Sequence, residues 1–167
     1  MIEPRVNAVT FRDRRPGDIG WIIHRQAVLY HQEYGWNEQY EAVISEILAR
    51  FIQKFDAKCE RSWIAERDGQ IVGSIFCVRK SRTVAQLRLL YVEPSARGLG
   101  VGTQLVNECI EFAKAKGYRK LVLWTNSVLH SARRIYEAAG FKLVHEEPHD
   151  SFGKQRLHAQ TWELSLH

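Results

Sequence analysis

The stretch Leu90-Tyr-Val-Glu-Pro-Ser-Ala-Arg-Gly-Leu-Gly-Val-Gly102 sets the fold class of this chain. Its first residues end an apolar strand pattern over residues 84–92 (VAQLRLLYV), and Pro94 stops that strand. Residues 103–116 then read as a helix, with Leu105, Val106, Cys109, Ile110, Phe112 and Ala113 on one face and Gly117 as the stop. A glycine loop between a strand and a helix is where a phosphate cradle belongs. Gly98, Gly100 and Gly102 allow a tight turn and close backbone approach to a ligand. The freed N–H groups and the orphan donors of the helix start form an anion nest, and Arg97 adds a fixed positive charge.

Two better-known glycine loops do not fit. A dinucleotide fingerprint, G-x-G-x-x-G, needs its third glycine where Thr103 or Leu105 stands, and an acid near the end of the next strand, where Asn126 stands. A Walker loop needs a lysine before its serine or threonine, and Gly102 precedes Thr103. The loop therefore reads as a cradle that holds pyrophosphate by main-chain donors.

Outward from the loop, residues 6–12 read as a strand ending at Pro16-Gly17. Asp18 is the expected cap of a helix over residues 19–34, and residues 37–55 repeat apolar positions at helical steps. Residues 62–67 and 70–79 flank Asp68-Gly69, a strong hairpin signal. Residues 120–125 (KLVLWT) form a nearly all-apolar strand, residues 127–139 a helix, and residues 141–145 and 157–166 two further strands. The order βααβββαβαββ implies an α/β chain with a mixed sheet and helices on both faces, in one domain over residues 1–167.

Composition agrees with a soluble globular domain: 45% hydrophobic and 26% charged residues exclude a disordered or fibrous chain. No apolar run reaches the ~20 residues of a membrane span, and the first residues lack the apolar core of a secretory signal. Three widely spaced cysteines, Cys59, Cys77 and Cys109, give neither a disulfide framework nor a CxxC metal site, so a cytoplasmic, reduced setting is expected. The net charge of +5 fits an anionic partner; a phosphorylated cofactor suits it better than nucleic acid, for which no recognised module is present.

Residues 90–102 resemble motif A of the Gcn5-related N-acetyltransferase (GNAT) family, R/Q-x-x-G-x-G/A, filled by Arg97, Gly100 and Gly102. Asn126, Ser131, Tyr136 and Gly140-Phe141 resemble its motif B, and the order of elements is similar throughout. The resemblance implies a GNAT-like acyl-CoA N-acyltransferase fold and transfer of an acetyl group from acetyl-CoA to a primary amine, directly, in a ternary complex. It implies that pantetheine pairs with the main chain of Leu90, Tyr91 and Val92. Pyrophosphate then sits on Arg97, Gly98, Leu99, Gly100, Val101, Gly102 and Thr103, while Asn126, Ser131 and Arg134 approach the arm or the phosphates. Tyr136 falls where the family commonly keeps the acid that protonates the departing sulfur. Tyr34 and Trp36 lie in the acceptor-binding loop, and a homodimer is compatible with the family.

The general base is left open among Glu33, Glu66, His145 and His149, because Ala85 and Gln86 stand where many relatives carry a glutamate. Glu33, Glu38, Glu41, Glu146, Glu147 and Asp150 either line an acceptor cleft or form a solvated surface, and the surface reading is favoured. His145-Glu-Glu-Pro-His149 spells H-E-x-x-H, but that zinc motif works only on a helix, which Pro148 opposes, so no metal is expected. The competing reading is a CoA-binding sensor or partner-binding module without catalysis. The acceptor's identity does not follow from these residues.

Overall fold

The computed structural model describes residues 8–167, so Val6 and Asn7 of the expected first strand lie outside the described residues. The elements are β1 (Thr10–Arg12), α1 (Asp18–Tyr34), α2 (Glu38–Lys54), β2 (Arg61–Arg67), β3 (Gln70–Arg79), β4 (Val84–Val92), α3 (Val101–Ala115), β5 (Lys120–Asn126), α4 (His130–Ala138), β6 (Lys142–His149) and β7 (Leu157–Ser165). They form one seven-stranded sheet in the order β1-β2-β3-β4-β5-β7-β6. Only β4 and β5 run parallel; every other neighbouring pair is antiparallel. The mixed sheet and the element order are those expected from the sequence.

Strand alternation divides the core between the two faces. Trp63 and Ala65 of β2 and Ile75 and Cys77 of β3 pack with Leu105, Val106 and Cys109 of α3. The intervening Ile64 and Phe76 pack with Ile22, Leu29, Leu48 and Phe51 of α1 and α2. Fully burying each such side chain contributes about 1.5–3 kcal/mol.

Beside β5, β4 keeps its partner only from Val84↔Lys120 to Leu87↔Leu123. Beyond that point β4 continues against β3 alone and β5 against β7 alone. The cause lies in β4. Ser74 pairs with Tyr91 and Phe76 with Arg88, leaving Ile75 opposite both Leu89 and Leu90. Leu89 takes a left-handed φ of 54°. Such a bulge bends its strand and increases the local twist, and here it opens the sheet. Gly73 lies under it; a Cβ there would stand 2.7 Å from the Tyr91 carbonyl oxygen.

Several boundaries differ from the sequence expectation for physical reasons. Gly17, at φ 96°, is the N-cap of α1. Asp18 is already helical, and its carboxylate accepts from the Arg15 N–H at 2.6 Å and from Arg12 at 2.7 and 3.1 Å. Asn37 caps α2 by accepting from the Gln39 N–H at 2.9 Å. β6 runs through Pro148, which an edge strand tolerates because one side of it needs no ladder donor.

Two partly buried ion pairs fasten α1 to the sheet. Arg12 holds Asp18 and also Glu66 of β2. Arg25 holds Glu93, just after β4, at 2.6 and 3.0 Å, and Glu93 also accepts from the Tyr91 hydroxyl. The Arg12 bond lowers the Asp18 pKa. Burial alone would raise Glu93, but the bonds from Arg25 and Tyr91 outweigh it and hold it below 4.5. Both carboxylates thus contribute stability that is fully present above about pH 4.5 and is lost as pH falls through their depressed folded values. Thermal unfolding should show a Tm plateau above that pH and a falling Tm below it. Arg25→Met should flatten the fall.

Candidate functional site

Where β4 and β5 part, the sheet opens a cleft of about 570 Å³, a size suited to a small-molecule ligand. Leu90 and Val92 of β4 line it. Tyr91, between them, points to the opposite face, 1% exposed among the side chains of α1 and α2. Of these three residues, Tyr91 alone does not line the cleft.

The glycine loop forms one end of the cleft. Arg97, Gly98 and Gly100 line it, whereas the Leu99 side chain is half exposed and does not. Gly98 and Gly100 hold φ of 82° and 75°, a region that costs a side-chain-bearing residue about 1–2 kcal/mol. The helix starts earlier than its apolar spacing suggests, so Val101, Gly102 and Thr103 all belong to its first turn and all line the cleft. The first bond back along the helix is Gln104 N–H to Gly100 O at 3.0 Å. The N–H groups of Val101, Gly102 and Thr103 therefore lack intrahelical acceptors and carry the positive end of the α3 dipole. Arg97 donates to Glu33 at 2.6 Å, an ion pair linking the loop to the last turn of α1. From the other side come Ser131 and Arg134 of α4, a helix that starts at His130 because residues 127–129 form a turn.

Tyr136 lines the cleft with 4% exposure, its ring against Phe141 at 5.7 Å. Burial, then the nearby Tyr30 and Cys109, raise its pKa above that of a free phenol, so the hydroxyl keeps its proton at neutral pH. Asn126, at the end of β5, is 3% exposed and also lines the cleft. Its Oδ1 lies 2.7 Å from His149 Nε2. The Ser151 N–H donates to His149 Nδ1 at 3.3 Å, so the imidazole proton sits on Nε2 and is given to Asn126. The rings of Trp124 and Phe152 pack on either side of His149, at 5.8 and 5.3 Å.

Part of the cleft lining is aromatic. Tyr34 and Trp36 line it, joined by Gln26, Tyr30, Tyr40, Leu89 and Trp124, which sequence reading did not single out. Gln26, Tyr30 and Tyr34 stand at successive i, i+4 positions of α1, a spacing that signals one helix face. Trp124 and Leu89 carry no comparable signal, because the bulge alone exposes them to the cleft. Burial pushes the phenols of Tyr30, Tyr34 and Tyr40 upward.

Of the four candidate bases, the structure brings only Glu33 to the cleft, and Arg97 holds it. Glu66 is bound to Arg12, His145 is exposed beside Glu147 at 3.5 Å, and His149 spends both ring nitrogens on Asn126 and Ser151. None of Glu38, Glu41, Glu146, Glu147 and Asp150 lines the cleft. In H-E-x-x-H, the two histidines lie on a strand, four residues and about 13 Å apart. One zinc ion needs ligand nitrogens at about 2.0–2.1 Å.

A model described as the acetyltransferase (GNAT) family matches residues 24–141 of this chain. An N-acetyltransferase of Methanocaldococcus jannaschii, itself uncharacterized, is 34% identical over 87 residues, covering 48% of this chain and 38% of that protein. A mycothiol acetyltransferase of Sanguibacter keddieii is 33% identical over 150 residues, covering 83% of this chain and 45% of that protein. The chain thus spans less than half the length of these two relatives. Among solved structures, a phosphinothricin acetyltransferase of Sinorhizobium meliloti in complex with acetyl-CoA superposes with a TM-score of 0.75 at 20% identity. That superposition covers 95% of this chain and 88% of the other.

The His149 geometry has a direct readout. Long-range proton–nitrogen NMR correlations should identify Nε2 as the protonated ring nitrogen at neutral pH. Asn126→Ala should leave the imidazole without that acceptor and shift the Nε2 signal.

Proposed function

The chain belongs to the acetyltransferase (GNAT) family, and from that premise we propose that its 167 residues act as one N-acetyltransferase unit, moving an acetyl group from acetyl-CoA directly to a primary amine. The observation that carries this reading is the cleft at the parted strands. It has helix-start amides without intrahelical partners, a buried phenol and a cluster of aromatic rings along its wall. Such a shape suits a long ligand with an anionic head and a reactive tail, meeting a second substrate halfway.

In this reading the diphosphate takes the N–H groups of Gly98, Leu99, Gly100, Val101, Gly102 and Thr103, with Arg97 adding its positive charge beside them while it keeps Glu33. The pantetheine amides pair with the main chain of Leu90, Tyr91 and Val92, where β4 has lost β5 as a partner. Asn126, turned by His149 so that its amide N–H groups are free, donates to the same arm. Ser131 and Arg134 approach the phosphates from α4. Acetyl-CoA supplies a thioester whose thiolate leaves with a pKa near ~8.5.

An alkylamine with a pKa near ~10.4 is neutral in only about one molecule in a few thousand at pH 7. The only acidic residue on the cleft wall among the described residues is committed to Arg97. The amine therefore becomes a nucleophile by giving its proton to solvent as it is desolvated among the rings of Tyr30, Trp36 and Tyr40. The C–N bond forms, the C–S bond breaks, the Tyr136 hydroxyl donates to the departing sulfur, and the proton that the nitrogen sheds on becoming an amide passes through solvent to restore the phenol. Because burial raises its pKa, the phenol stays protonated until the transition state and meets the developing negative charge with its O–H.

Two variants test the reading. Gly100→Val places a β-branched residue at a φ of 75° and fills the approach to the diphosphate. It should destabilise the fold by about 1–2 kcal/mol and weaken acetyl-CoA binding by about tenfold or more, measured by calorimetry. Wild-type affinity would remove the loop from cofactor binding. Tyr136→Phe keeps the ring on Phe141. It should lower kcat by roughly 10–10³-fold with acetyl-CoA affinity unchanged. An unchanged kcat, with chemistry established as the slow step, would leave Tyr136 a packing residue.

A further inference from the structure

We infer that the amine acceptor carries a carbonyl or carboxylate oxygen beside an apolar group, as an apolar α-amino acid does, free or at the start of a peptide. This rests on the acetyl-transfer reading and concerns the aromatic part of the same cleft's lining. Three observations converge there.

The first is an unfinished hydrogen-bond account. Gln26 is 1% exposed; its Oε1 accepts from the Tyr40 hydroxyl at 3.2 Å, and its Nε2 has no partner among the described residues. Trp36, 3% exposed, leaves its indole Nε1–H equally unpartnered. Both residues line the cleft. Buried donors are nearly always paired, and those left over mark places where something else completes them. Both are donors, so the missing group is an acceptor oxygen.

The second is the wall. The rings of Tyr30, Trp36 and Tyr40 lie 4.9–5.3 Å from one another, with Tyr34 5.4 Å from Trp36. They offer flat apolar surface and π faces that tolerate an ammonium group. The third is charge. Glu33, held by Arg97, is the sole acidic residue lining the cleft among the described residues. A polyamine, with several ammonium groups and no oxygen, would find neither counter-ions nor a partner for Gln26.

The test compares amines that differ in one feature. Steady-state transfer from acetyl-CoA is measured for L-phenylalaninamide, L-phenylalanine, a phenylalanine-initiated tripeptide, phenethylamine and spermidine, with acetyl-CoA affinity measured separately by calorimetry. The oxygen-bearing compounds should exceed phenethylamine in kcat/KM by about tenfold or more, because a site built around a hydrogen bond rejects the analogue that lacks it. Preference for the free acid identifies an amino acid, and preference for the amide and tripeptide identifies a peptide amino terminus. Gln26→Leu, of similar volume, should bring the ratio of L-phenylalaninamide to phenethylamine down towards one while acetyl-CoA affinity stays as it was.

Equal use of phenethylamine by the wild-type protein, preference for spermidine, or acetyl-CoA binding without transfer to any oxygen-bearing amine would each overturn the inference. Those results would leave acetyl-CoA binding standing. Absence of acetyl-CoA binding would instead overturn the acetyl-transfer reading, and this inference with it.

Discussion

The separation of β4 from β5 is the constraint on which the rest of this molecule depends. Four residues of parallel pairing, Val84↔Lys120 to Leu87↔Leu123, fix the two strands together at one end. One left-handed leucine, Leu89, then turns β4 away. A non-glycine residue in that region carries a strain of about 1–2 kcal/mol. It persists because its neighbours leave no alternative: Ile75 on one side, the Arg25–Glu93–Tyr91 network just beyond, and Gly73 where any side chain would strike the Tyr91 carbonyl. The free main chain of Leu90 to Val92 and the chamber roofed by α1 both follow from that single twist. So does the placing of the α3 start at the mouth of the cleft.

Electrostatically the cleft is positive before anything enters it. Arg97 is matched by Glu33, Arg134 adds a second cation, and backbone amides that cannot be neutralised by titration add to it. The cleft lining combines an amide nest, a buried phenol and rings tilted about 60° to one another. The surrounding ion pairs that hold α1, Arg12 with Asp18 and Arg25 with Glu93, keep the aromatic wall in register with the strand that bends past it.

Much of this was legible in the sequence because it is encoded locally. Glycine spacing, the proline that stops β4, the Asp68-Gly69 turn and the helical periodicities all act within a few residues, and the order of elements follows from them. What was not legible depends on partners distant in the chain. Gln26 reads as one more polar residue on a helix until Tyr40 of the next helix takes its oxygen. Tyr91 lies within the strand stretch assigned to the ligand, yet alternation turns its side chain to the other face. His149 gains a role only because β6 extends far enough to place it against Asn126. The extent of β6 was underestimated because Pro148 argues against a strand wherever both edges must pair, and β6 pairs along one.

That last strand has a consequence for how copies of the protein behave toward one another. β6 ends the sheet, and its residues from Lys142 to Pro148 are exposed. An open edge of this length invites a neighbouring chain to add a strand and start an aggregate. Here a register shift between Leu143 and His145 breaks the ladder, and Pro148 removes a donor. Lys142, Glu146 and Glu147 set charges along the same stretch, with Glu146 beside His158 and Glu147 beside His145. The letters that spell a zinc motif in one dimension serve, in three, to keep the sheet from growing.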